Sequence, residues 1–125
     1  MSGATLDAGA LIALEAGSRR MAAVIEEALA AGAVLAIPAG ALAQAWRGGA
    51  RQARLARLLR SSVASVVALD RRTALRIGAR CATSGTSDVI DISVALCARD
   101  HGHGVITSDP GDLAAIDPSL PLFSP

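Results

Sequence analysis

The stretch Ala33-Val34-Leu35-Ala36-Ile37 is apolar without interruption, and Pro38 closes it. A short run of this kind reads as a strand buried on both faces, because a half-exposed strand would alternate. It lies between helical patterns. Upstream, Met21, Val24, Ile25 and Leu29 recur at helical spacing within 20–31, and Gly32 stops that helix. Downstream, Pro38 pre-organises a helix over about 39–46, which Gly48-Gly49 breaks. Short apolar strands alternating with helices predict an α/β chain, with a central mostly parallel sheet covered by helices on both faces.

The other elements follow the same logic. Ala4–Leu6 is a short apolar strand leading into Asp7, with a helix over 8–16. Residues 50–60 are helical, with Arg51, Arg54, Arg57 and Arg60 on one half and Leu55, Leu58 and Leu59 on the other. Val63–Leu69 reads as a strand, and Asp70 caps a helix to about Cys81. Thr83–Thr86 reads as a loop, and Ser87 or Asp88 caps a helix to Ala98. Val105–Thr107 is a strand, Pro110–Ala115 a helical turn or two, and Leu120–Phe123 a last edge strand. The spacing thus predicts one domain over residues 1–125.

Composition narrows the function. The net charge is +1, too small for nucleic-acid binding by bulk charge. One Trp, one Phe and no Tyr exclude a binder driven by many aromatics. No apolar run approaches the about 18 residues that span a bilayer, and residues 1–7 lack the basic start of a secretory signal. Cys81 and Cys97 have no metal-ligand spacing and read as buried free thiols of a cytoplasmic protein. His101 and His103 flank Gly102 and are expected in a solvent-exposed loop. Trp46 is read as a half-buried anchor rather than a base-stacking platform.

The charge is unevenly spread. Residues 1–85 carry 11 Arg against 5 acids, and residues 86–125 carry one Arg against 6 Asp. Functional groups gather beyond the carboxyl ends of strands in open parallel sheets. Asp7 follows the first strand and Asp109 a late one, with Asp112 one helical turn on. Asp88 and Asp91 share a face at the start of the long helix. Grouped carboxylates repel unless a cation sits between them, and Mg²⁺ or Mn²⁺ takes such oxygen ligands. A metal held there would polarise a phosphodiester and supply hydroxide, with the Arg-bearing helix positioning phosphates. Simple capping by Asp7 and Asp88, and a turn at Asp109-Pro110, are the competing readings.

Four blocks in order resemble the PIN-domain family, specifically its VapC-like toxin ribonucleases of type II toxin–antitoxin pairs. They are Leu6-Asp7-Ala8-Gly9-Ala10-Leu11, Ile37-Pro38-Ala39 through Trp46-Arg47-Gly48-Gly49, Asp91 through Ala98, and Val105-Ile106-Thr107-Ser108-Asp109-Pro110. The resemblance implies a three-layer α/β/α fold and a metal-dependent endoribonuclease, inhibited by a small antitoxin. It implies catalytic Asp7, Asp91 and Asp109, with Asp112 as a fourth acid on Mg²⁺ or Mn²⁺. It also implies an RNA substrate and a homodimer. Asp88 and Gln44 are candidate accessory residues, and Arg47, Arg51 and Arg54 are candidate phosphate contacts.

Two positions depart from the family pattern. Gln44 stands where a glutamate is usual, which removes one negative charge. Gly9 stands where Ser or Thr is common, so a hydroxyl is missing from the first block. These departures motivate the alternative reading, a weakly active or inactive PIN-like module that binds RNA or a partner protein. A nuclease acting on DNA branches or ends ranks below both, because no extra segment is available to clamp a duplex. The Ala- and Leu-rich helices at 20–31 and 50–60 are expected to pack against another chain.

Overall fold

The computed structural model describes residues 3–125, with Arg51 described by its backbone alone. Five strands form one sheet: β1 (Gly3–Leu6), β2 (Val34–Pro38), β3 (Ala64–Val67), β4 (Gly104–Ile106) and β5 (Leu122–Phe123). Their spatial order is β3-β2-β1-β4-β5, and every pairing is parallel. The helices are α1 (Ala8–Glu15), α2 (Arg19–Ala30), α3 (Ala39–Ala45), α4 (Ala53–Arg60), α5 (Arg71–Ser84), α6 (Val89–His101) and α7 (Pro110–Ile116), with a 3-10 turn at Ala50–Gln52.

Alternation along the strands divides the core in two. Ala4, Leu6, Leu35, Ile37 and Ile106 face one layer, where they pack with Leu11, Met21, Ile25, Leu55 and Leu58 from α1, α2 and α4. Val105 faces the opposite layer and packs with Val94, Ala95 and Ala98 of α6 and Leu113 of α7. Helices on both faces explain why β1 and β2 are apolar almost throughout. The result is a three-layer α/β/α architecture around a parallel sheet.

Local chemistry sets the boundaries. Asp7, Ser18, Asp70 and Asp88 each accept a backbone N–H in the first turn of the helix that follows. The stop of α6 differs from the expected one. The helix continues through His101 and ends at Gly102, whose φ of +66° is open to glycine at no steric cost. The histidines therefore do not share a loop. His101 is the last helical residue, and its Nδ1 lies 2.8 Å from the Cys97 carbonyl oxygen, which can only accept. His103 is buried, with its Nδ1 3.3 Å from Thr5 Oγ1. The preceding helix α5 also runs on through Thr83 and Ser84, whose hydroxyls both donate to the Arg80 carbonyl. Cys97 is buried as expected, whereas Cys81 is only half-buried.

Leu11 is fully enclosed between β1 and its flanking helices, and Leu75 on α5 is 62 % exposed. Leu11→Ala is expected to cost about 2–5 kcal/mol and Leu75→Ala about 0.5 kcal/mol or less, as urea unfolding will measure.

Candidate functional site

β1 is the central strand, with β2 on one side and β4 on the other. The chain therefore leaves β1 and β4 at a point where connections diverge to opposite sides of the sheet, the usual position of an α/β site. Leu6 and Ile106 are register partners, so Asp7 and Thr107 emerge side by side. The Asp7 N–H still donates to the Ile106 carbonyl at 3.3 Å.

Asp7 is almost wholly buried. Its Oδ1 accepts the Ala10 N–H at 2.8 Å, which caps α1, and the carboxylate also takes a hydrogen bond from the Thr107 side chain. Thr107 is fully buried and its Oγ1 accepts the Asp109 N–H at 2.9 Å. One hydroxyl thus ties the first acid to the backbone of the third. Burial raises the Asp7 pKa; the Thr107 and Ala10 bonds oppose the rise, and the nearby Asp109 adds to it.

The other acids stand at two helix starts. Asp88 caps α6 by accepting the Asp91 N–H at 3.0 Å, and its own N–H donates to the Thr86 hydroxyl oxygen at 3.2 Å. Asp112 lies in the first turn of α7. Asp88, Asp91 and Asp112 line one open cleft of about 290 Å³, together with Thr86 and Ala115. Desolvation, a hydrogen bond with Asp88, and the charges of Asp88, Asp112 and Asp7 push Asp91 up to about 6. Asp91 is therefore the electrostatic link between the cleft and the Asp7 side. Simple capping accounts for Asp88 but not for Asp91, which caps nothing.

These are oxygen donors of the type a hard cation prefers. Their placement does not form a cage, however. Among the described residues, no three His, Cys, Asp or Glu side chains stand together so as to hold a metal ion. Gln44 is exposed on α3, and no side-chain hydrogen bond ties it to the acids.

The arginines lie apart from this cleft. Arg47 donates to the carbonyls of Ala43 and Trp46 at 3.1 and 2.8 Å. Arg54 donates to the Glu15 carbonyl at 3.4 Å and lines the groove between α2 and α4. The Arg51 side chain lies outside the described residues.

The sequence reading missed Ser108. A Cβ on Gly9 would overlap the Ser108 hydroxyl and come within 3.5 Å of Asp7 Oδ1. The hydroxyl absent from position 9 therefore has a neighbour from the β4 loop in its place. Only the fold reveals this, since the residues are far apart in sequence.

The sequence matches the PIN domain family model over residues 4–117. The chain belongs to the PIN domain family. No curated protein matches it significantly. The match takes in all the acids discussed, from Asp7 at the end of β1 to Asp112 in α7. In this PIN domain the acids of three of the four sequence blocks, Asp7, Asp91 and Asp109, lie toward one end of the sheet, and among the described residues they are not drawn into a closed metal site.

The carboxylate cluster has a consequence for stability. A carboxyl with a raised folded pKa favours folding most when protonated, so its contribution is lost as pH rises through that pKa. For Asp91 the loss runs from about pH 4 through about pH 6. Asp91→Asn is expected to flatten the fall in Tm over this window and to raise Tm at pH 7. Calorimetric melting of both proteins across the range is the check.

Proposed function

We propose that this PIN domain engages RNA and a protein partner, with at most weak metal-dependent endoribonuclease activity of its own. The observation that carries this reading is a set of acids electrostatically joined through Asp91 but not gathered three together for a cation. Family membership supports a nuclease-type fold. Gln44 supports weak activity, because a neutral amide adds no charge for a metal to neutralise.

The protein-partner part of the reading rests on a second feature. A groove of about 490 Å³ runs between α2 and α4, floored by Leu14, Ile25, Leu29 and Leu58, with Arg54, Arg57 and Arg60 outnumbering the single acid Glu26 at its edge. Its apolar floor and basic edge suit an amphipathic segment carrying acids. A small antitoxin is the partner implied by the family resemblance. A homodimer and a cytoplasmic location belong to the same proposal. Among the described residues no helix is long and apolar enough to cross a membrane.

A second reading is favoured by the acids themselves. Holding Asp7, Asp88, Asp91, Asp109 and Asp112 at one end of a small domain is unfavourable without a positive ligand. That supports a fully active toxin ribonuclease that takes up Mg²⁺ or Mn²⁺ together with RNA, since Mg²⁺ commonly uses one or two carboxylates plus water and phosphate.

One experiment separates the two. RNA binding and cleavage are measured with Mn²⁺ and with Mg²⁺, for the wild type and Asp91→Asn. The proposed module binds RNA and cleaves it slowly, with cleavage further reduced in the variant. Rapid cleavage that falls by about 100-fold or more in Asp91→Asn selects the active toxin instead. Equal cleavage by both proteins contradicts the assignment of Asp91 in either reading.

A further inference from the structure

The segment after α3 is held by an unusual side chain. Gln52 is buried, although Arg54, Arg57 and Arg60 on the helical stretch that follows it are exposed. Its Oε1 accepts the N–H groups of Arg47 and Gly48, the latter at 2.8 Å, and its Nε2 donates to the Ala45 carbonyl at 3.0 Å. Three bonds from one amide fix the backbone on both sides of Trp46. The following Gly48 and Gly49 have φ of +78° and +86°, a left-handed pair that turns the chain sharply away. Trp46 is thereby displayed on a rigid loop.

Trp46 is 38 % exposed, which fits the expected half-buried anchor and still leaves part of the side chain open to solvent. Among the described residues its indole N–H has no hydrogen-bond partner, and a Cβ placed on Gly48 would stand 3.9 Å from the indole nitrogen. Arg47 beside it is exposed, and its guanidinium is steered along the end of α3 by the carbonyls of Ala43 and Trp46. The loop lies one short helix from the acids. Helix α3 begins directly after Pro38, at the carboxyl end of β2, and its seven residues span about 10 Å. It packs against α1 and α6, the helices that follow Asp7 and carry Asp91.

We propose that Trp46 is a stacking platform for a base of single-stranded RNA, with Arg47 as the adjacent phosphate contact. Single-stranded RNA is recognised by aromatic faces that stack splayed bases and by cations that follow the backbone. A partly exposed indole whose donor is unpaired among the described residues, next to an arginine on an immobilised loop, supplies both. The residues that follow the indole, Arg47, Gly48 and Gly49, are a cation and bare backbone rather than apolar side chains, which favours RNA over a protein contact. The inference rests on the RNA-binding part of the proposed function and adds where a base would sit.

The test uses the full chain in EDTA, with oligoadenylate as the probe. Trp46 is the only tryptophan and there is no tyrosine, so intrinsic fluorescence reports on this residue. Binding is followed in parallel by the anisotropy of end-labelled oligoadenylate. The expected result is saturable quenching of Trp46 that tracks the anisotropy. Trp46→Ala should bind roughly 5- to 100-fold more weakly while Trp46→Phe, which keeps a stacking face, retains most of the affinity. Circular dichroism of both variants establishes that they are folded, and the quenching test itself needs no variant. Binding without a change in Trp46 emission, or unaltered affinity in Trp46→Ala, overturns the stacking site but leaves RNA binding intact. No anisotropy change at any protein concentration overturns both. An emission change on concentrating the protein alone, with none on adding RNA, assigns the indole to a contact between chains and also overturns the proposal.

Discussion

Parallel pairing of β1 with both β2 and β4 makes the chain leave the sheet twice at the same edge, once after Leu6 and once after Ile106. The apolar faces of these strands fix that arrangement, since a shift of one residue would turn Leu6 and Ile106 away from their shared core. Asp7 and Thr107 are neighbours for no other reason. The Thr107 hydroxyl then reaches the Asp7 carboxylate and the Asp109 backbone together. Hydrophobic register, a property of the core, thus sets the spacing of two acids at the surface end of the sheet.

The remaining acids depend on helix starts rather than on strands. Asp88 caps α6 and holds the first turn in place, which leaves Asp91 facing Asp88, Asp112 and Asp7. The cost of this crowding appears in the pKa of Asp91 and not in that of a single isolated group. A domain with a net charge of +1 can still concentrate negative potential locally, because eleven of its twelve arginines precede residue 86. Several of those arginines are occupied elsewhere. Arg76 pairs with Asp100 through two short bonds, and Arg54 is turned to the groove between α2 and α4.

Much of this was legible in the residues. The apolar run ending at Ile37, the glycine after α2 and the Asp70 cap gave their elements correctly, because each depends on neighbours in sequence. The placement of Asp7 and Asp109 beyond strand ends followed from the parallel sheet. What sequence could not supply were relations across the fold. Gln52 carries no signal in the sequence pattern, yet it is buried by bonds to a loop. His103 read as solvent-exposed, yet it packs against Gly3 and Thr5. Gly9 read as a lost hydroxyl, although Ser108 fills the space above it. Nor did spacing show that, among the described residues, the acids stop short of a three-residue metal cage, since one-turn separations fix a shared face and not a convergence point.

The central claim is that Asp91 feels the charges of Asp88, Asp112 and Asp7 together. Carboxyl ¹³C chemical shifts followed through a pH titration test it most directly. The account predicts that Asp91 titrates near 6 in the wild type and moves down toward the ordinary aspartate range when Asp88 is changed to Asn. An Asp91 that titrates near its ordinary value, about 4, and does not respond to Asp88→Asn would contradict it.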